Sequence, residues 1–173
     1  MEKRENFYVF LDIDGVLWDW EWRLDAIEKG KIKSLHFIED FNPKSVEALN
    51  FLLNKINETH DVKLVISSTW RSNLEFTKEV FDRHNVDYQG EYFATKHTDH
   101  PEKRGLEILD FLNTHEKGDY LIIDDEYCDL KQHFPSDKII KTAIFKESLS
   151  KKHVENWLEK HPELSGEQSE KEF

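Results

Sequence analysis

Residues 7–17 read FYVFLDIDGVL, and this stretch decides the fold of the chain. It opens with an apolar, β-branched run and then reaches the turn signal Asp14-Gly15. A short apolar run that ends at a turn signal predicts a buried β-strand. Two aspartates, Asp12 and Asp14, therefore stand where the first strand of the protein ends.

Strands and helices alternate along the rest of the chain. In the later strands the apolar residues are continuous and do not alternate with polar ones. This pattern predicts strands that are buried on both faces. Such a pattern is typical of a parallel sheet with helices on both faces. We predict an α/β, Rossmann-like, three-layer α/β/α sandwich with a mainly parallel sheet. The predicted strands are 7–13, 61–67, 119–125 and, more weakly, 138–145, and the predicted helices lie within 42–60, 68–86, 103–118 and 150–161.

The composition indicates one cytoplasmic domain. The length of 173 residues suits a single domain, which we place at residues 1–160, followed by a polar, acidic, flexible tail at 161–173. The net charge of −12 disfavours generic nucleic-acid binding but leaves room for a locally basic site. A mean hydropathy of −0.74 predicts no membrane span, and the charged start resembles no secretory signal. The single cysteine, Cys128, excludes an internal disulfide, and we expect it to be buried.

Polar side chains follow three of the predicted strands. The first strand ends in Asp12 and Asp14, the second in residues 67–69 (Ser-Ser-Thr), and the third in Asp124-Asp125, with Asp129 four positions further. The carboxyl ends of parallel strands meet at one edge of a sheet. Converging carboxylates repel each other, and a bound cation removes that cost. Ligation by oxygen alone favours Mg²⁺. Singly, each motif also fits a turn or a helix cap.

Four motifs together resemble the haloacid dehalogenase (HAD) superfamily of phosphohydrolases. The first two motifs are FLDIDGVL (10–17) and KLVISSTWR (63–71). The third is the basic pair Lys103-Arg104 at a helix start, and the fourth is YLIIDDEYCD (120–129). Further segments are similar to the capless HAD domains of Swiss-army-knife RNA repair proteins and phage-type homologues. These segments are FNPKSVEAL (41–49), RGLEI (104–108) and KTAIFKESLS (141–150).

The resemblance implies a Mg²⁺-dependent phosphatase that acts through an aspartyl-phosphate. Asp12 would be the nucleophile, and Asp14 the general acid and then the general base. Mg²⁺ would bind Asp12, the backbone carbonyl of Asp14 and Asp125. Asp124 would orient a water ligand. Asp129 stands four positions after Asp125, where the family carries another acidic residue.

The resemblance also implies a phosphate-binding set. Ser68 would donate to the transferring phosphoryl group, with Ser67 as the alternative. Arg104, or its neighbour Lys103, would balance the charge of the nucleophile and the phosphate. The remaining candidates for substrate binding are Thr69 and Arg71. Arg71 would donate two hydrogen bonds to a phosphate, or it is an ordinary surface arginine.

Short insertions predict an open site. Only 44 residues (18–61) lead from the end of the first motif to the first residue of the second strand, and 31 (72–102) lie between Arg71 and Lys103. Neither insertion can hold a full cap domain. By family analogy, an open site favours macromolecular ends or bulky substrates, or a partner that closes the site. The expected substrate is a nucleotide or a phosphorylated nucleic-acid end. The alternatives are a non-catalytic phosphate-binding or regulatory module and a phospho-accepting signalling receiver. The sequence does not indicate an oligomeric state.

Two further segments carry open interpretations. On an extended flap, Trp18, Trp20 and Trp22 would share one face and stack on bases; alternatively they pack into the core. The segment KHTDHPEKR (96–104) would guide a polyphosphate or nucleic-acid end, or its histidines are simply exposed.

Overall fold

The computed structural model describes residues 4–34, 39–97 and 103–164. These residues form one five-stranded sheet in which every pairing of neighbouring strands is parallel. The strand order β3-β2-β1-β4-β5 places the first strand at the centre. The predicted Rossmann-like α/β fold is confirmed. The strands are β1 (Asn6–Leu11), β2 (Asp61–Ile66), β3 (Tyr92–Ala94), β4 (Gly118–Asp124) and β5 (Ile139–Lys141).

Helices connect the strands and cover both faces of the sheet. A 3₁₀ turn at Thr69–Asn73 leads from β2 into the helix that follows it. Local capping starts several helices: the Asn42 side chain, for example, accepts a hydrogen bond from the Lys44 N–H. The described helices are α1 (Trp20–Glu28), α2 (Pro43–Asn57), α3 (Leu74–Arg83), α4 (Arg104–Thr114), α5 (Tyr127–Leu130) and α6 (Lys151–Leu158).

The central position of β1 explains why five of its six residues are apolar. It pairs with β2 on one side, Leu11 opposite Ile66, and with β4 on the other, Leu11 opposite Ile123. All six of its residues are buried. Alternate side chains enter two cores: Val9 belongs to the larger one and Phe10 to the smaller one, beside Phe111 of α4. The sheet is therefore the middle of three layers.

The segment after the first motif leads into a helix, which excludes the extended flap, one of the two interpretations left open for Trp18, Trp20 and Trp22. Helix α1 begins at Trp20, and the side chain of Asp19 caps it by accepting from the Trp22 N–H. A helix destroys the alternation that would put three indoles on one face. Trp18 is buried, and Trp20 and Trp22 pack against the larger core. The alternative interpretation, core packing, describes these residues.

One further expectation needs correction. Cys128 is exposed, because it lies on the outer side of the short helix α5 rather than in the core. The tail that we expected at 161–173 stays a prediction; of its described residues, Leu164 is 1% exposed and belongs to the larger core. Residues 165–173 lie outside the described part of the chain.

The two insertions contain no cap domain within the described residues. The first holds α1 and α2, and the second holds α3 and the edge strand β3. In the same parts of the chain, no helix has the length and apolar character needed to cross a membrane.

Candidate active site

The carboxyl ends of β1 and β4 bring three aspartates together. The Asp12 N–H donates to the Ile123 carbonyl at 3.0 Å, which places Asp12 beside the end of β4. Asp12, Asp124 and Asp125 each offer a carboxylate oxygen, and these oxygens lie within 4.8 Å of one another. Asp12 is 4% exposed and Asp124 is fully buried. This edge of the sheet therefore concentrates negative charge away from water.

Arg104, the first residue of α4, supplies positive charge to this cluster. Its Nη1 lies 2.9 Å from Asp12 Oδ2 and 2.7 Å from Asp124 Oδ2. Burial alone would lower the pKa of Arg104, but the two carboxylates outweigh it and raise that pKa. Lys103 is exposed at the N-cap position of the same helix. The structure thus brings Arg104, and not Lys103, to the carboxylates.

The carboxylates hold more negative charge than one arginine balances. Burial, and then the charge of Asp12, raise the pKa of Asp124 well above its ordinary range despite the contact with Arg104. Burial, followed by the charges of Asp12 and Glu126, raises the pKa of Asp125 to about 7. A divalent cation would remove this repulsion. Because all three donors are carboxylate oxygens, the residues present fit Mg²⁺.

The neighbouring acids differ in how far they are already engaged. Asp124 accepts from Arg104 and, through Oδ1, from the Glu126 N–H at 2.8 Å. Asp129 is not part of the three-carboxylate cluster. It accepts the Gly105 N–H at 2.7 Å and so caps the start of α4. Of the candidate ligands after β4, Asp125 is therefore the better placed for a metal, and Asp129 has a structural partner instead.

Asp14 lies in the loop after β1 between two indoles. Trp18 Nε1 donates to Asp14 Oδ1 at 2.9 Å, and Trp70 Nε1 donates to Asp14 Oδ2 at 3.2 Å. Burial raises the pKa of Asp14, the charge of Asp12 adds to this rise, and the two indole bonds oppose it. A raised pKa suits a carboxyl that must carry a proton at the start of a reaction.

Gly15 allows this loop to pass close to the cluster. Its φ is +81°, and a Cβ at this position would lie 2.7 Å from Asp125 Oδ2. Only glycine meets both conditions without strain.

Two buried serine hydroxyls directly follow β2. The Ser67 N–H donates to the Leu11 carbonyl at 2.9 Å, which places this strand end beside β1. Ser67 and Ser68 are 0% and 1% exposed, and their hydroxyls have no hydrogen-bond partner among the described residues. Since a buried hydroxyl is normally hydrogen-bonded, both suit donation to a ligand. Ser67 and Ser68 thus both stay candidates, and Thr69 is exposed on the turn that follows.

Comparison with known families agrees with this geometry. A family model for the HAD domain in Swiss Army Knife RNA repair proteins matches residues 8–154, from β1 through most of the described chain. The chain belongs to the HAD superfamily. The predicted resemblance is confirmed, and membership supports a phosphatase-type function. A search of the curated proteins gave no match.

Arg71 of this HAD domain is held in a buried ion pair. Its Nη1 lies 2.7 Å from Glu107 Oε2 and donates to Thr95 Oγ1 at 2.8 Å. Its Nη2 lies 2.8 Å from His97 Nδ1. This network joins the turn after β2 to β3 and α4. The phosphate-binding role of Arg71 stays a prediction, and most of the segment 96–104 (residues 98–102) lies outside the described residues.

Sequence reasoning missed two features of the HAD site. The indole contacts to Asp14 depend on tertiary folding, because Trp70 is 56 residues away in the chain. Thr142 is the second feature: its N–H donates to the Asp124 carbonyl at 3.1 Å, and its buried hydroxyl has no partner among the described residues. The sequence pattern hid Thr142 because it lies inside the predicted strand 138–145. The observed strand β5 ends at Lys141, so Thr142 directly follows its strand, as Ser67 follows β2.

Proposed function

We propose that this HAD domain is a Mg²⁺-dependent phosphatase that hydrolyses phosphomonoesters through an aspartyl-phosphate on Asp12. The supporting observation is the cluster of Asp12, Asp124 and Asp125 with Arg104. Beside it, directly after the neighbouring strand, the Ser67 and Ser68 hydroxyls have no partner within the described parts of the chain. Such a set offers a nucleophile, a metal site and phosphate donors at one edge of the sheet.

Mg²⁺ would be held by Asp12, Asp125 and the backbone carbonyl of Asp14. Bound there, it would neutralise charge so that a carboxylate can approach a phosphate dianion. Arg104 contacts Asp12 and Asp124 and so holds both carboxylates in place next to the proposed metal site. The choice of Asp125 as the carboxylate ligand after β4 follows from the prior engagement of both Asp124 oxygens.

The reaction runs in two displacements. An Asp12 oxygen attacks phosphorus, the bond from phosphorus to the leaving oxygen breaks, and that oxygen takes a proton from Asp14. Water then attacks the phosphorus, gives a proton to Asp14, and the Asp12–phosphorus bond breaks to release phosphate. Splitting one displacement into two lowers each barrier. Ser68 or Ser67 would donate to the phosphoryl oxygens in both steps.

A nucleotide or a phosphorylated nucleic-acid end is the proposed substrate class. Two observations support it: the absence of a cap within the described residues, and the match to a family described from RNA repair proteins. An uncapped site leaves room for a polymer to continue beyond the reacting phosphate. Because the net charge of −12 repels a phosphate backbone, the groups that attract such a substrate must lie at the site itself.

Phosphate release from a substrate panel tests this function. The panel contains sugar phosphates, nucleotides and oligonucleotides phosphorylated at the 3′ or 5′ end, each with Mg²⁺ and with EDTA. We expect Mg²⁺-dependent release that Asp12→Asn abolishes, with an oligonucleotide or nucleotide preferred. Asp110→Asn, the same change at an exposed position of α4, should leave the rate unchanged. No release from any member by folded protein would refute the phosphatase and favour the non-catalytic phosphate-binding module.

A further inference from the structure

Both oxygens of Asp14 accept hydrogen bonds from tryptophan side chains that come from different loops. Trp18 follows Asp14 by four residues and donates at 2.9 Å. Trp70 lies on the turn after β2 and donates at 3.2 Å. A carboxyl group on a single methylene can rotate freely unless both of its oxygens are held. Here two donors of fixed geometry hold it.

Each indole is itself immobilised. The guanidinium carbon of Arg23, a fully buried residue, lies 3.8 Å from the centre of the Trp18 ring. Trp70 is 7% exposed and packs between Phe41 and Phe76, with both ring centres at 5.8 Å. The stacking angle between Trp70 and Phe76 is 21°. Rings packed in this way cannot follow a rotation of the Asp14 side chain, so they determine its direction.

We propose that Trp18 and Trp70 are positioning residues that hold the Asp14 carboxyl in the direction required for proton transfer to the leaving oxygen. This inference rests on the proposed phosphatase function. Proton transfer requires the acid to lie within hydrogen-bond reach of the leaving oxygen, so loss of orientation lowers the rate of that step. Trp70 follows Ser68 by two residues, so the same turn carries a proposed phosphate donor and a support for the acid.

Substrates with different leaving groups separate this role from a structural one. An alkyl phosphate needs its leaving oxygen protonated, whereas 2,4-dinitrophenyl phosphate leaves as a stable anion. In Trp70→Phe and Trp18→Phe, which lose the N–H but keep an aromatic ring, we expect kcat/KM for the alkyl phosphate to fall about 10-fold or more and that for the dinitrophenyl ester to change less than about 3-fold. Trp157→Phe is the matched control, because the Trp157 N–H donates at 2.7 Å to the Asp137 carbonyl, outside the described site. It should leave the ratio of the two values unchanged.

A second set of variants tests whether the indoles act through Asp14. In an Asp14→Ala background, Trp70→Phe should produce no further fall for the alkyl phosphate. An equal fall for both esters in either tryptophan variant, or an additional fall in the Asp14→Ala background, would overturn the positioning role while leaving the phosphatase intact. Absence of Asp12-dependent hydrolysis in the unmodified protein would overturn the proposed function and this inference together.

Discussion

Arg104 shows how one residue makes a cluster of buried acids possible. Its Nη1 atom lies 2.9 Å from Asp12 Oδ2 and 2.7 Å from Asp124 Oδ2, and the Asp124 side chain is completely buried. A buried charge that loses its partner costs several kcal/mol. The cation is therefore part of the fold of this edge as well as of the proposed chemistry.

Replacing Arg104 tests this dual role. In EDTA at neutral pH, Arg104→Gln should lower the free energy of unfolding by about 3 kcal/mol, because Asp124 is left buried without its cation. Urea unfolding followed by circular dichroism measures the change. Lys103→Gln removes the adjacent exposed charge and should leave the unfolding curve where it is. Equal effects of the two substitutions would contradict the assignment of Arg104 as the site cation.

Mg²⁺ binding distinguishes two acids after β4, Asp125 and Asp129, as candidate metal ligands. Mg²⁺ at about 100 times its dissociation constant should raise the melting temperature by about 5–10 °C, since the ion binds only the folded form. Asp125→Asn should remove most of this shift. Asp129→Asn should keep it, because Asp129 caps α4 at Gly105 and is not part of the carboxylate cluster. A Mg²⁺ shift lost in Asp129→Asn and kept in Asp125→Asn would reverse our assignment.

At the scale of elements, the loop between β1 and α1 depends on close packing against the loop after β4. Gly15→Ala places a methyl group 2.7 Å from Asp125 Oδ2 in a backbone with φ of +81°. Gly30, after α1, has φ of +67° but no atom within 4 Å of an added Cβ. An alanine at position 30 therefore introduces backbone strain alone, whereas an alanine at position 15 adds a collision with Asp125.

We expect both alanine substitutions to cost about 1–2 kcal/mol of stability, because each forces a side chain into left-handed backbone. Only Gly15→Ala should also weaken the Mg²⁺-dependent rise in melting temperature, since only its methyl group displaces Asp125. Thermal unfolding with Mg²⁺ and with EDTA gives both quantities. Similar Mg²⁺ responses in the two variants would show that the loops are not packed as described.

At the scale of the whole molecule, the acid cluster links stability to pH. Burial raises the pKa of Asp125 to about 7 and raises that of Asp124 above its ordinary range. A carboxyl whose pKa is higher in the folded than in the unfolded state costs stability above the unfolded value of about 3.9, and the full cost is present above the folded pKa. The metal-free protein should therefore lose stability as the pH rises through this window.

Urea unfolding in EDTA at several pH values between about 5 and 8 measures this dependence. Asp125→Asn is the internal comparison, because it removes one titrating carboxyl and leaves the histidines unchanged. We expect a smaller loss of stability with rising pH in this variant than in the unmodified protein. We also expect Mg²⁺ to reduce the loss, since the cation compensates the ionised carboxylates. Parallel pH profiles for the two proteins would contradict the link.

The sequence by itself determined the architecture and which polar residues gather at one edge of the sheet. Continuous apolar strands alternating with helices require a parallel sheet buried on both faces. That topology brings the ends of β1, β2 and β4 to one edge, so the acids and hydroxyls after those strands could be predicted as a group. This inference needs only the succession of strands and helices along the chain and their apolar periodicity, both of which are read from the sequence. Placing Asp12, Asp124 and Asp125 together therefore required no knowledge of side-chain packing.

Only the tertiary structure decided which of two neighbouring candidates lies beside the carboxylate cluster, as Lys103 and Arg104 show. Lys103 and Arg104 are adjacent, and the rotation of α4 turns Arg104 to the cluster while Lys103 faces solvent. Asp129 has a suitable spacing, but the packing of α5 directs it to the Gly105 N–H. The contact between Trp70 and Asp14 joins residues far apart in the chain. The physical reason is that helix rotation and loop packing depend on contacts across the whole core, which no local pattern encodes.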